Sequence, residues 1–353
     1  MRYKPLVSVI IPTYNRVEVL PSAIQSVIDQ TYSNWELIIV SDGCEDHTEA
    51  LVQSFSSQDS RIRYLTNSRS KGVGGARNSG MLSAKGSYVS FLDSDDEWFP
   101  FHLQDSLQMI QDSRADISFA LWEEKHGSTL YRNFDNDTEQ KLLSEMRAGF
   151  ETNGSGIVFE QGLLERFLGE TKHFYCINTM VFRKDLLHTF GLFNEQFRIG
   201  EDTSFIIQFF DRCRIALITK SHFVYNQSPD SVYQFIDRRN LNPDTLYRQK
   251  EIFARIEAVC LQNIQFRLHV QALVNKSSHL PNHKRMQLIA RYTLARQYYT
   301  LSYINKWDKR KALKYCFQSM KHSVNAFNLL LVPYILFSGE KGSEFLKRPV
   351  NLY

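Results

Sequence analysis

The stretch 88–100, YVSFLDSDDEWFP, runs an apolar, strand-like segment straight into Asp93, Asp95 and Asp96, with Ser94 among them. Carboxylates clustered at a strand end repel one another unless a cation sits between them. Oxygen-only ligands favour Mg2+ or Mn2+, which keep several waters and also bind substrate phosphates. The other reading is an acidic turn that caps the helix expected near Pro100, although a cap needs one acid rather than three. In IIVSDGCEDHT a second carboxylate follows a strand. Asp42-Gly43 makes the turn, Asp46 is placed to cap the next helix, and Asp42 is left to accept a hydrogen bond from a ligand ring N–H.

In SKGVGGARNSG, Gly72, Gly74 and Gly75 open a helix that carries Arg77. Glycines let a backbone approach phosphate, and a helix N-terminus favours an anion. The segment reads either as a phosphate-contacting turn with Lys71 or Arg77, or as a simple tight turn. It is neither G-x-G-x-x-G after a first strand nor G-x-x-x-x-G-K-[ST]. In FRIGEDTSFIIQFF, Glu201 and Asp202 precede Phe205, Ile206 and Phe209 at helical spacing. A helix start is an ordinary home for an acid because of the macrodipole. Two adjacent acids there also suit a positioned general base.

The elements that must hold these residues alternate. Strands are expected at 7–11 (ended by Pro12), 37–40, 62–65 and 88–92, and helices at 17–30, 46–55 and 75–85. Repeated βαβ units imply a parallel sheet covered by helices, with the chemistry in loops at the carboxyl ends of the strands. Residues 121–175 are less periodic and more polar, and NFDNDTEQ reads there as a surface loop. Strand character returns at 178–182 and 215–219, with helices at 185–189 and 202–211. Helices follow at 245–261, 264–275, 283–301 and 309–326. The fold class is α/β, a doubly wound, mostly parallel sheet with a C-terminal helical region. Residues 1–240 are expected to form the α/β domain, with a division at 115/116, and 241–353 the basic helical region.

The chain has 353 residues, 43% hydrophobic, 13% aromatic and 23% charged, a globular composition that excludes disorder and coiled coil as the dominant state. No uncharged run reaches the roughly 20 residues of a spanning helix, and the N-terminus does not read as a secretory signal. Five scattered cysteines, never in CxxC pairs, argue against structural zinc and disulfides and for a reducing cytoplasm. The net charge of +4 hides an asymmetry, because from Leu241 onward 18 Lys and Arg stand against 6 Asp and Glu. Such a basic region suits an anionic membrane or a polyanionic acceptor rather than nucleic acid, or is simply a solvated basic helical face.

Together these segments resemble the inverting family-2 glycosyltransferases of the GT-A fold. The resemblance rests on VSVIIPTYNR, QTYSNWELIIVSDGCEDHT, GVGGARNSGMLSAKGSYVSFLDSDDEWFP and GLFNEQFRIGEDTSF, in order and at family spacing over roughly residues 5–235. It implies that Pro12, Thr13 and Tyr14 form the base edge, with Tyr14 stacking on the ring. Asp42 then recognises the base, and a carboxylate, which only accepts, suits uracil or thymine N3–H; guanine also offers an N–H. By the same resemblance Lys71 and Arg77 neighbour the diphosphate. Asp93 and Asp95 are the DxD element, with Asp95 on a Mn2+ or Mg2+ ion, Asp93 beside it on ribose or sugar hydroxyls, and Ser94 and Asp96 supporting the donor sugar. Asp202 is the base, with Glu201 beside it.

The implied reaction is a single in-line displacement that moves one sugar from a nucleotide-diphosphate sugar, a UDP-sugar first of all, to the hydroxyl of a glycan or lipid-linked acceptor. Its setting is surface polysaccharide, lipopolysaccharide or other glycoconjugate synthesis. The family's more frequent Asp-Asp-Gly-Ser is here Ser41-Asp42-Gly43-Cys44, and no QxxRW follows Glu201-Asp202, which points to single-sugar transfer. The localisation implied is cytoplasmic, or peripheral on the inner face of the membrane. Trp98 and Trp122 read as core or acceptor-side packing, and His222 and Tyr225 as packed residues first and as contacts to pyrophosphate or metal second. The end of the basic region, with its uncharged run broken by Pro333, reads either as an interfacial helix on anionic lipid or as a subdomain packed on the protein or on a second subunit. The rivals are a sugar nucleotidyltransferase, a Rossmann oxidoreductase and a non-catalytic nucleotide-sugar-binding module.

Overall fold

The computed structural model describes residues 4–154, 156–169, 173–227 and 248–337. The chain divides into two compact units, Met1–Pro229 and Asp230–Tyr353. The boundary expected near 240–245 lies outside the described residues, as does the start of the helix expected at 245–261.

The first unit begins with β1 (Val7–Thr13), α1 (Leu20–Ile28), β2 (Trp35–Ser41), α2 (Thr48–Gln58), β3 (Ile62–Thr66), α3 (Val73–Ser83) and β4 (Tyr88–Phe91). Then come β5 (Glu97–Trp98), α4 (His102–Ser113), β6 (Ile117–His126), β7 (Thr129–Arg132), α5 (Asp137–Gly149), β8 (Glu151–Asn153), β9 (Gly156–Phe159) and α6 (Leu163–Gly169). It closes with β10 (Val181–Arg183), α7 (Leu187–Phe190), α8 (Glu201–Ile207) and β11 (Ile215–Asn226). Among the described residues the strands form one sheet in the order β3-β2-β1-β4-β10-β6-β11-β9-β8, with β5 and β7 paired off that path. β1, β2, β3, β4, β6, β8 and β11 share one direction, and β9 and β10 oppose it. The sheet is mostly parallel.

Every residue of β1 and β2 is buried, as a parallel strand covered on both faces requires. β1 runs past the expected stop at Pro12. Ile10 O accepts from Leu92 N, so Ile10 and Pro12 both turn their backbone toward β4, whose pairing has already ended at Ile10 and Phe91. Pro12 therefore forfeits no ladder bond. The turn into α3 needs glycine twice. Gly72 sits at φ 129°, and a Cβ on Gly75 would lie 1.9 Å from Ser70 O.

The stretch 121–175 differs from its irregular reading, since it holds most of β6, then β7, α5, β8, β9 and α6. The loop there is short. Asn136 caps α5 by accepting from Glu139 N, and the Asn136 amide donates back to Glu139 Oε2, a reciprocal cap.

The second unit is helical: α9 (Lys250–Lys276), α10 (His283–Ile304), α11 (Lys309–His322) and α12 (Ala326–Phe337). α9 is one helix where two were expected. Ile256, Cys260 and Ile264 recur every fourth residue and pack as one stripe against Leu294, Leu301 and Ile304. The helix expected over 309–326 ends at His322, and α12 runs through Pro333. Leu331 and Ile335, on either side of that proline, are buried with Tyr303, Ala312 and Cys316.

Candidate active site

The ends of β1, β2, β3 and β4 meet at the carboxyl edge of the parallel strands, where ligands bind in sheets of this class. Asp42 follows β2. Its carboxylate accepts from the Asn67 amide at 2.6 Å and from Gly72 N at 2.8 Å, so it fixes the glycine turn, while its backbone N–H donates to Thr13 O at the end of β1. In the loop after β1 Tyr14 is 45% exposed, and the Lys71 ammonium lies 4.6 Å from its ring centre. Thr13 is buried beside it. Asp46 was expected to cap α2; the cap position is His47, and Asp46, one residue earlier, accepts from Thr48 N and Oγ1.

The acidic loop after β4 is held from several sides. Asp93 Oδ1 accepts from Arg77 Nη2 at 2.8 Å and its Oδ2 from the Asn178 amide at 3.2 Å. Asp96 is fully buried and accepts from the Asn178 amide at 2.7 Å and from Asn226 N at 2.9 Å. Burial, then Asp93 and Asp95, push its carboxyl well above the usual range. Ser94 is buried between them. Asp95 is held less: among the described residues it meets its own backbone N–H and Arg16, 4.0 Å away. Burial and the Asp93 charge raise the Asp95 carboxyl as well.

Arg77 joins this loop to the start of α8. Its Nη1 donates to Glu201 Oε1 at 3.1 Å while its Nη2 holds Asp93. Burial alone would lower the guanidinium, but Asp93, Glu201 and Asp202 hold it above its ordinary value. The expectation that Arg77 neighbours the diphosphate meets a side chain already engaged within the protein. Arg77 is 2% exposed and spends both terminal nitrogens on carboxylates, so it positions the two acidic motifs. Glu201 is buried, and burial followed by the Asp202 charge raises it to about 7 against the pull of Arg77. Asp202 is half-buried, and its Oδ1 accepts from Thr203 N at 2.6 Å. Of the two acids Asp202 is the one the solvent reaches.

A family model described as glycosyl transferase family 2 matches residues 8–191. The chain belongs to that family. This family-2 chain is 36% identical over 165 residues to the Escherichia coli UDP-Glc:alpha-D-GlcNAc-diphosphoundecaprenol beta-1,3-glucosyltransferase WfgD, which takes in 46% of the chain and 63% of that relative. It is 32% identical over 203 residues to the Campylobacter jejuni GalNAc(5)-diNAcBac-PP-undecaprenol beta-1,3-glucosyltransferase, across 57% of the chain and 59% of the relative. The matched segment thus spans less than two thirds of either relative. Among solved structures, Staphylococcus aureus TarS 1-349 in complex with UDP-GlcNAc shares the GT-A fold over 93% of this chain and 90% of its own, at 16% identity and a TM-score of 0.53. The Pyrobaculum calidifontis mannosyltransferase PcManGT, solved with GDP-Man and Mn2+, aligns over 94% and 80% at 18% identity and a TM-score of 0.50.

Several residues of this family-2 site carry no sequence signal of their own. Asn178 precedes β10 and bridges Asp93 and Asp96, while its Oδ1 takes the Asp93 N–H at 3.1 Å. Asn226 ends β11 and Asn67 follows β3; each is a polar residue at a strand end. Arg16, two residues past Tyr14, was the readable one, since a cation beside an aromatic in the first loop faces the acids after β4. His222 and Trp98 pack as expected. His222 is fully buried, with Nδ1 3.2 Å from His102 Nδ1, and Trp98 Nε1 donates to Asn178 O.

The donor set suits a hard divalent cation. Among the described residues the Asp95 carboxylate meets only its own backbone N–H and, 4.0 Å away, Arg16, and burial with the Asp93 charge raises it. One or two carboxylates with waters and substrate phosphates is how Mg2+ is commonly held. Asp95 would be the main ligand, with Asp93 beside it already shared with Arg77 and Asn178.

Proposed function

We propose that this chain is an inverting, metal-dependent glycosyltransferase that moves one sugar from a UDP-sugar to a hydroxyl of a lipid-linked glycan in surface polysaccharide synthesis. The observation that carries the reading is the Arg77 bridge, which ties the carboxylates of the donor-side loop to Glu201 and leaves Asp202 open beside them. Asp42, Tyr14 and Lys71 would form the base pocket, with the Asp42 carboxylate accepting uracil N3–H. TarS, solved with UDP-GlcNAc, and the undecaprenol-linked acceptors in the relatives' names support the donor and acceptor classes. A cytoplasmic reaction agrees with five free thiols and with the absence, among the described residues, of any helix long and apolar enough to cross a membrane.

In the reaction Asp202 removes the proton of the acceptor hydroxyl as that oxygen attacks the anomeric carbon from the face opposite the departing diphosphate. Glu201, held by Arg77, fixes the start of α8 and so the direction of Asp202. The divalent ion, when bound at Asp95, neutralises charge on the diphosphate.

Calorimetric titration with UDP, TDP and GDP, each with Mn2+ and then with EDTA, tests the donor site. UDP is expected to bind with Mn2+ and to lose at least about tenfold in affinity in EDTA, a small share of what a metal clamp on phosphate supplies. Asp95→Asn should bind as weakly with Mn2+ as the native chain does in EDTA. Equal UDP affinity in both media would remove the metal from the proposal.

The pair of acids predicts a pH dependence. Burial and the Asp202 charge raise Glu201, which Arg77 ties to the donor-side loop, to about 7. Transfer should therefore rise with pH toward about 7. Glu201→Gln keeps an oxygen for Arg77 but removes the titrating group, so the acid limb of kcat/KM should move to lower pH. A limb that stays in place would assign that titration to another group.

A further inference from the structure

The second unit carries a surface whose chemistry matches a lipid bilayer better than water. Between His283 and Phe337 the chain has ten Lys and Arg against a single acid, Asp308. Asp308 is taken up at the start of α11, where it accepts from Lys311 N at 3.0 Å. On the outer face of α11, Arg310, Lys314, Phe317 and Lys321 follow one another at helical spacing, all exposed, with Phe317 54% exposed in the middle. None of the three cations faces an acid among the described residues. Its opposite face, with Ala312, Cys316 and Ser319, is buried.

α12 packs on α11 and is antiparallel to it, for Lys309 at the start of α11 donates to Leu336 O near the end of α12 at 2.9 Å. No charged residue occurs from Ser323 to Gly339. Leu331 and Ile335 fill the core, yet Leu329 and Leu330, each 55% exposed, and Leu336, 46% exposed, stand outward, and Val324 before the helix is 66% exposed. A surface helix ordinarily turns polar residues to water. This one turns leucines outward beside a row of cations.

We propose that α11 and α12 form a docking surface for an anionic lipid bilayer, with the α12 leucines and Phe317 entering the headgroup boundary and Arg310, Lys314 and Lys321 meeting lipid phosphates. The charge pattern selects this occupant over a second copy of the chain. A like copy would bring the same row of uncompensated cations against itself. A helix of 12 residues is too short to span, so the contact is interfacial. The inference does not depend on the sugar-transfer reading, because lipid binding is read without turnover.

The test is co-sedimentation of the full chain with vesicles of phosphatidylcholine alone or of an equimolar mixture with phosphatidylglycerol. Binding to the mixed vesicles is expected to be strong, to weaken with added salt and to be at least about tenfold weaker on phosphatidylcholine. The triple variant Arg310→Gln, Lys314→Gln, Lys321→Gln should lose about 100-fold on mixed vesicles. Leu329→Asn with Leu330→Asn should lose binding that remains at high salt, which the charge variant keeps. UDP titration of each variant checks that the first unit is intact, and the salt series on the native chain needs no variant. No binding to mixed vesicles, or a dimer in sedimentation velocity that the leucine variants dissolve while vesicles are ignored, would overturn the proposal.

Discussion

Asp202→Asn is expected to bind UDP with native affinity and to transfer sugar about 10²–10⁴-fold more slowly, the span a positioned general base contributes. The substitution is nearly isosteric, and the amide oxygen can still accept from Thr203 N, so α8 should begin as before. What disappears is the capacity to take a proton. The acceptor must then lose its proton to water, while Asp42 and Asp95, the proposed contacts to the base and the cation, are untouched. The experiment reads kcat and the UDP dissociation constant in one preparation, since a collapse of both would signal misfolding rather than lost chemistry. Glu201→Gln is the internal control. Glu201 is buried against Arg77 and does not face the solvent, so its variant should keep most of kcat above neutral pH. If Glu201→Gln were the dead enzyme and Asp202→Asn the live one, the roles of the two acids would be reversed.

How much of this could be read beforehand depends on whether a residue's role is local. Asp93, Asp95 and Asp96 announce themselves because an apolar strand running into three acids needs a reason in any fold. The glycine turn is likewise local, since φ and close approach at Gly72 and Gly75 are properties of a few consecutive residues. The Arg77 bridge was illegible because a glycine-rich helix start suggests an anion outside the protein, whereas its partners here, Asp93 and Glu201, come from 16 and 124 residues away. No local pattern carries that distance. Asn178 is illegible for the same reason, being a lone amide whose value lies in reaching Asp93 and Asp96. The segment 121–175 failed differently. Its strands β7, β8 and β9 have three or four residues each, too short to set a period, and form by pairing with neighbours. α12 shows tertiary packing overriding a breaker, with burial of Leu331 and Ile335 carrying the helix through Pro333.

Arg77→Gln should be the most damaging substitution in the first unit outside the hydrophobic core. Removing one partner of a buried ion pair leaves uncompensated charge and costs about 3–5 kcal/mol, and here one guanidinium serves two carboxylates. The loss should depend on pH with a sign the site fixes. Burial and Asp202 raise the folded-state Glu201 to about 7, above its unfolded value of 4.5. The folded state therefore holds the extra proton between those values, and Glu201 favours folding most at low pH, losing that contribution as pH rises through the folded value. Without Arg77 the larger of the two pulls that draw the carboxyl down is gone and only a backbone N–H remains, so the folded value climbs and the loss continues to higher pH. Denaturant titrations should thus find Arg77→Gln closer to the native chain below pH of about 7 and further from it above. Arg77→Lys separates charge from geometry, because one ammonium cannot fork to Asp93 and Glu201 together. It should recover much of the stability, keep UDP binding through Asp42, and still turn over slowly, with the acid limb of kcat/KM displaced upward. A Lys variant with native turnover would mean that charge alone holds the two loops, and the bidentate bridge would lose its role in aiming Asp202.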